Sequence, residues 1–187
     1  MEIDRRLLII GGSAGSLSVI LDLLKNLEKP LKLVIVIVVH RKASTSNILP
    51  TLLQQFAPVD LLEIDDKMEL EDNKIYLAPA DFHLLFEDGN FMALDRSEKF
   101  NYSRPSIDVT FRSAAETFRE NLTGVLLSGA NSDGVEGLMY IKRYGGKVWI
   151  QDPETAEVGY MPRVAMENVD YDLIVSPKDL AKRINEL

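Results

Sequence analysis

The 187-residue chain contains no cysteine. That removes disulfides, thiolate metal sites and a cysteine nucleophile together, and it fits a reducing compartment. Histidine is scarce: His40 and His83 are the only two, too few for a histidine-rich metal centre. Positive charge is also in short supply. Lys plus Arg number 21 against 29 Asp plus Glu, for a net charge of −8. An acidic chain is poorly suited to sequence-independent nucleic-acid binding, which depends on neutralising phosphates. No apolar stretch reaches the roughly 18–20 residues that span a bilayer. The residues before Leu7 lead into a short apolar run that halts at Gly11-Gly12, unlike a signal peptide. Repeats and low-complexity segments are absent. These features together predict a cytoplasmic protein that binds no nucleic acid and does not insert into membranes.

What remains is an ordinary globular composition, 46% hydrophobic and 27% charged, long enough for one domain with a substantial core. Leu7–Ile10 reads as a buried strand. Leu17, Ile20, Leu21, Leu24 and Leu27 then recur at helical spacing, which predicts a helix with that face inward. Leu33–Val39, "LVIVIVV", is a continuous and mostly β-branched run, as expected for a central parallel strand covered on both faces. "SNILPTLLQQF" predicts a helix, and Asp60–Ile64 and Lys74–Ala78 predict further strands, with the acidic stretch Glu63–Asn73 as a solvated surface segment.

Asp88-Gly89, between apolar runs within residues 82–94, signals an antiparallel hairpin. "PSIDVTFRSAAETFREN" predicts a helix with Ser106 as its cap and Asp108 in the first turn, where the helix dipole favours an anion. A strand at Gly124–Leu127 follows, then a helix over Val135–Tyr144 stopped by Gly145-Gly146, a strand at Lys147–Gln151, a short helix around Pro162–Glu167, a strand at Leu173–Val175 and a final helix from Pro177. Strands alternating with helices predict an α/β fold, a mainly parallel sheet with helices on both faces plus one antiparallel hairpin. No linker divides the chain.

Ligands in such folds gather outside the carboxyl ends of the strands. Three strand ends carry chemistry: Ser13 in "GGSAGS" after the first, His40 after the second, and Asp133 in "SGANSDG" after the strand at 124–127. Each has a plain alternative. Ser13 can cap a helix, or its glycine-rich turn can cradle a phosphate. His40 can be a packed strand-end residue, and Asp133 can cap the helix that follows it. His83, inside an apolar run, reads as a hydrogen-bonded structural histidine. Taken together, serine, histidine and aspartate at one edge are the residue types of a hydrolytic triad. Their order, Ser–His–Asp, differs from that of α/β-hydrolases, and the turn lacks Gly-x-Ser-x-Gly. A dinucleotide site is disfavoured as well, because Gly-x-Gly-x-x-Gly is missing and the second strand ends in His40, not in an acid.

The blocks "IIGGSAGS", "VVHR", "IYLAPADFHLL", "RPSIDVTFRSAAE", "GVLLSGANSDGVEGL" and "DPETAEVGYMPRVAM" resemble, in order, those of the CheB-type chemotaxis protein-glutamate methylesterase catalytic domain, over nearly the whole chain. The resemblance implies a Rossmann-like, doubly wound domain without a cofactor or metal. It implies hydrolysis of glutamate γ-methyl esters, and in some members deamidation of glutamines, on the cytoplasmic domain of methyl-accepting chemoreceptors. Ser13 is then the nucleophile, His40 the general base and Asp133 the orienting acid, with the backbone amides of Ala14 and Ala130 as oxyanion donors. Relatives often have Ser-Thr-Gly-Gly where this chain has Ser13-Ala14-Gly15-Ser16, and methionine at Ala130; backbone donors survive both changes. With the serine at position 13, the expectation is a single catalytic domain over residues 1–187 with no receiver domain in front, so that any receiver regulator acts in trans. Two other readings stand beside this one: an esterase for another methyl ester in a different sensory pathway, and a binding module that has lost turnover.

Overall fold

A computed structural model describes residues 5–42, 48–88 and 90–187. The elements run β1 (Leu7–Gly12), α1 (Ser16–Asn26), β2 (Val34–Val39), α2 (Ile48–Phe56), β3 (Leu61–Glu63), β4 (Met68–Glu69), β5 (Ile75–Leu77), β6 (His83–Glu87), β7 (Phe91–Asp95), α3 (Ile107–Phe118), β8 (Leu122–Leu126), α4 (Val135–Arg143), β9 (Lys147–Gln151), α5 (Tyr160–Asn168), β10 (Leu173–Val175) and α6 (Pro177–Asn185). The main sheet has the order β10-β9-β8-β1-β2-β5-β3, and every pairing in it is parallel. A second, antiparallel sheet has the order β4-β7-β6.

β1 and β2 are apolar along their whole length because both faces of the sheet are covered. Leu7 and Ile9, with Val34, Val36 and Val38, enter one core with Phe111 of α3, Leu138 of α4 and Ala165 of α5. Leu8 and Ile10, with Ile35 and Ile37, enter the other core with Leu23 of α1, Leu53 of α2 and Leu180 of α6. The alternation follows from the two-residue period of a strand. The β6–β7 hairpin packs on α3, where Phe86 meets Phe118 edge to face with centroids 5.4 Å apart.

The chain starts at the middle of the sheet. It adds β2, then the edge strand β3, then β5 between those two, and returns to the far side of β1 for β8, β9 and β10. The winding direction therefore switches at β1. The carboxyl ends of β1, β2 and β8 border the crevice that such a switch creates.

Three expectations need correction. The inward face of α1 is Val19, Ile20, Leu23 and Leu24, continued by Leu27, whereas Leu17 is 42% exposed and Leu21 is only partly buried. With apolar residues at seven positions between Leu17 and Leu27, spacing alone admits two faces, and docking against β1 and β2 selects one. The acidic segment 63–73 is not merely solvated. It contributes β4, which pairs with β7, and it buries Ile64 and Leu70. The Tyr76 hydroxyl fixes its far end, accepting from the Glu71 amide at 2.8 Å. The helix expected around Pro162–Glu167 is longer, running from Tyr160 to Asn168. The hairpin itself forms as expected, although Gly89 of its turn, like Ser46 and Asn47 of the expected second helix, lies outside the described residues.

Candidate active site

Ser13 follows β1 directly, and its side chain does not cap α1. That helix opens on Gly15, a left-handed residue with φ 79° and no side-chain cap, while the Ser16 hydroxyl donates to the Ser13 carbonyl at 2.7 Å. Gly15 is required twice over: its φ suits glycine, and a Cβ there would lie 2.6 Å from Glu157 Cβ and 2.7 Å from Ser128 Oγ. The turn is tied to the loop after β8. Ser13 N–H donates to the Ser128 carbonyl at 2.9 Å, and the Ser128 hydroxyl donates to the Ala14 carbonyl at 2.7 Å. The buried Ser128 is itself held by its amide, which donates to Gln151 Oε1 at 2.9 Å.

Because α1 opens on Gly15 without a side-chain cap, Ser13 Oγ is not drawn onto the helix and faces His40. His40 Nδ1 lies 3.1 Å from Ser13 Oγ, and His40 Nε2 lies 2.6 Å from Asp133 Oδ2. Since Asp133 can only accept when ionised, the proton belongs on Nε2, which leaves the Nδ1 lone pair for the serine hydroxyl. The ring thus presents its nitrogens in the opposite sense to the chymotrypsin template, where Nε2 faces the serine. The His40 amide donates to the Gly12 carbonyl at 3.2 Å, which fixes the end of β2 against the serine turn.

Asp133 does not cap α4, the helix that follows it; that helix opens on Gly134 without a side-chain cap. Its carboxylate instead sits on the N-terminus of α3. Oδ1 accepts from the Ser106 hydroxyl and the Asp108 amide, both at 2.9 Å. Oδ2 accepts from the Ile107 amide at 2.7 Å and from His40. Four donors fill the four lone-pair sites of the carboxylate. Burial works against its charge, but the hydrogen bonds from His40, Asp108 and Ile107 overcome it and hold Asp133 below the ordinary carboxylate range. An anion on unsatisfied helix amides is also favoured by the helix dipole.

Ser106 and His83 support this arrangement from behind. Ser106 is the N-cap of α3, as expected, and accepts from the Val109 amide. Its own amide donates to His83 Nδ1 at 3.2 Å, and His83 Nε2 donates to the Glu98 carbonyl at 2.9 Å. His83 is therefore a buried, fully bonded structural histidine.

Asp108 is the residue whose importance the sequence reading missed. It is 6% exposed, and its Oδ1 accepts from the Gly134 amide at 2.9 Å and the Gly137 amide at 2.7 Å. Burial, reinforced by the charge of Asp133 and opposed by those two amides, pushes its carboxyl up to about 7. A signal was available. Asp108 shares the helix stripe of Phe111, Ala115 and Phe118, all buried, and a carboxylate on an apolar stripe needs partners to be buried at all.

Gly134 carries the connection between Asp133 and α4. Its φ is 98°, and a Cβ there would lie 2.7 Å from Leu126 Cδ1 and 2.8 Å from Ile107 Cγ2. Gly134→Ala is expected to destabilise the fold by about 2–4 kcal/mol, combining left-handed strain with overpacking at the start of α3. Urea unfolding of the two proteins measures this; an unchanged midpoint would show that the loop adapts at no cost.

Ala14 and Ala130 are both exposed, and among the described residues neither backbone amide donates a hydrogen bond. An open cleft of about 550 Å³ adjoins His40, with Arg41, Lys42, Lys99, Tyr102 and Arg104 on its walls. Arg104 is held by Asp81, at 2.6 Å from Nη2 and 3.1 Å from Nε, and its charge keeps that carboxyl low. Among the described residues, no group of three or more His, Asp or Glu side chains is arranged to hold a metal ion. No helix among them is long and apolar enough to cross a membrane.

The chain and its fold have counterparts among known proteins. Residues 8–184 match the family model for CheB methylesterase. A Thermotoga maritima protein named protein-glutamate methylesterase/protein-glutamine glutaminase is 31% identical over 188 residues, covering 99% of this chain and 55% of that protein. A Leptospira interrogans protein, given the same name provisionally, is 38% identical over 175 residues, covering 94% of this chain and 91% of its own length. The crystal structure of the Thermotoga maritima CheB methylesterase catalytic domain superposes with a TM-score of 0.93 at 30% identity, covering 98% of this chain and 99% of that one.

Proposed function

Because the chain belongs to the CheB methylesterase family, we propose that it hydrolyses γ-methyl esters of glutamate side chains in proteins and deamidates glutamines at the same site, with Ser13, His40 and Asp133 as its catalytic residues. The observation that carries this reading is the continuous line from Ser13 Oγ through the His40 ring to Asp133, at 3.1 and 2.6 Å.

The chemistry follows from that line. A serine hydroxyl is a weak nucleophile until a base accepts its proton. His40 Nδ1 takes it as Ser13 Oγ attacks the ester carbonyl, and Asp133 stabilises the imidazolium that results. The carbonyl oxygen becomes an oxyanion, for which the free amides of Ala14 and Ala130 are the donors; losing one such donor typically costs about 10²–10³-fold in rate. As the tetrahedral intermediate collapses, the C–OMe bond breaks. His40 passes its proton to the leaving oxygen, and methanol departs. Water then attacks the acyl-enzyme with His40 again as base, which releases glutamate and restores the serine. With a glutamine substrate the leaving group is ammonia and the remaining steps are the same.

The substrate we infer is the cytoplasmic domain of a methyl-accepting chemoreceptor, so that the protein acts in the cytoplasm. The test joins two measurements. Methanol release from a methyl-esterified receptor fragment is followed for the wild type and for Ser13→Ala, and both are exposed to a serine-directed organophosphonate. Methanol from the wild type alone, with labelling lost in Ser13→Ala, is the expected result. Labelling that ignores the substitution, or no methanol from any esterified receptor, would overturn the proposal.

A further inference from the structure

Two helices meet here with their N-termini exchanged. Asp133 immediately precedes Gly134, the opening residue of α4, yet its carboxylate is bound by the first amides of α3. Asp108 belongs to the first turn of α3, yet its carboxylate is bound by Gly134 and Gly137 at the start of α4. Each aspartate satisfies the orphan amides of the other's helix, where unpaired donors would otherwise be buried. The exchange depends on close approach: a Cβ at Gly137 would lie 2.5 Å from Phe111 Cβ and 3.1 Å from Asp108 Cα. Only a glycine lets the two helix starts come this near.

The consequence concerns Asp133. One covalent step separates it from Gly134, whose amide Asp108 holds at 2.9 Å. The grip on the Asp133 carboxylate includes the Asp108 amide. Asp108 therefore fixes both where the Asp133 backbone lies and part of what its side chain meets. We propose that Asp108 is a positioning residue for the reaction, acting through Asp133 to keep the His40 ring in line with Ser13. The inference rests on the reading of Ser13, His40 and Asp133 given above. Asp108 touches neither the ring nor the nucleophile in any hydrogen bond of the structure. What it supplies is an acceptor, and an amide oxygen in the same place supplies it equally.

This separates two substitutions. Asp108→Ala leaves the Gly134 and Gly137 amides without an acceptor and frees the Asp133 loop. A misplacement of about 1 Å at a reacting group can cost on the order of 10²-fold, so kcat is expected to fall about 10- to 100-fold with KM little changed. Asp108→Asn keeps the acceptor and is expected to stay within about threefold of the wild type by the same reasoning. The imidazole N–H proton shared between His40 and Asp133 gives a low-field NMR signal; it should persist in Asp108→Asn and weaken or vanish in Asp108→Ala. A residue that only stabilised the fold would lower the melting temperature without moving that signal.

Both variants are assayed for methanol release and organophosphonate labelling beside the wild type and Ser13→Ala. If Asp108→Ala does not fold, Asp108→Ser, polar but too short to reach both amides, takes its place. The proposal is overturned if the alanine or serine variant turns over like the wild type with its low-field signal intact, or if Asp108→Asn is as impaired as Asp108→Ala. Failure of the underlying reading is distinct: the wild type itself would then not be labelled at Ser13.

Discussion

Replacing Asp133 with asparagine is expected to lower kcat about 10⁴-fold, as loss of the equivalent charge does in serine proteases, while the chain still folds. The reason lies in the four donors around the carboxylate: the Ser106 hydroxyl, the amides of Asp108 and Ile107, and His40 Nε2. Asparagine retains one acceptor oxygen and brings an NH₂ group. If that NH₂ takes the Oδ2 position, it opposes the Ile107 amide and forces His40 to accept at Nε2. The ring proton then moves to Nδ1, and the lone pair facing Ser13 is lost. If it takes the Oδ1 position, it opposes the Asp108 amide, the Ser106 hydroxyl rotates to accept, and His40 keeps a neutral partner without the charge that stabilises its imidazolium. Either way one buried amide loses its acceptor, at about 1–3 kcal/mol. The kinetic loss should therefore come with a moderate loss of stability. Methanol release measures the first and urea unfolding the second. A variant within tenfold of the wild-type rate would remove Asp133 from the proton-transfer line.

The parts of this site that were legible in the sequence are those set by continuous or strictly placed signals. "LVIVIVV" has no polar face and is mostly β-branched, which suits a strand covered on both sides, and β2 is buried at every position. Once the parallel strands were placed, the rule that ligands gather at their carboxyl ends brought Ser13, His40 and Asp133 to one edge, and the structure brings them into contact. His83 was readable because an apolar run offers a histidine little besides a structural bond.

What was not legible depends on partners distant in sequence. Local reading assigns a polar residue to the helix that follows it, and so expects Ser13 to cap α1 and Asp133 to cap α4. Glycines open both helices, and the two side chains turn elsewhere. The exchange of caps between α3 and α4 joins residues about 25 positions apart, which no window of helical length contains. β4 escaped for the same reason. Two residues in an acidic stretch become a strand only because Met68 and Glu69 find β7.

Asp108 gives the fold an unusual dependence on pH. In the unfolded chain its carboxyl titrates at an ordinary 3.8, and in the folded protein at about 7. Between these values the folded state holds a proton that the unfolded state has released, so unfolding becomes easier as pH rises. The stability contributed by protonated Asp108 is complete below the unfolded value and is lost as pH climbs through the folded one. Across roughly three pH units this amounts to up to about 4 kcal/mol. Asp133 works in the opposite direction but in a different window. Its folded value lies below 3.8, so its contribution is complete above that and fades only in stronger acid. The carboxylate facing Asp108 is that of Asp133, with His40 beyond it and the Gly134 and Gly137 amides on the α4 side. Asparagine at position 108 mimics the protonated acid and keeps the acceptor for those amides. The difference in unfolding free energy between the wild type and Asp108→Asn should therefore shift against the wild type from pH 4 to pH 7.5, because the other titrating groups are common to both and cancel. Urea unfolding of the two proteins at several pH values in that range measures the difference directly. Parallel stability curves would mean that Asp108 stays ionised throughout, with the two α4 amides offsetting its burial entirely.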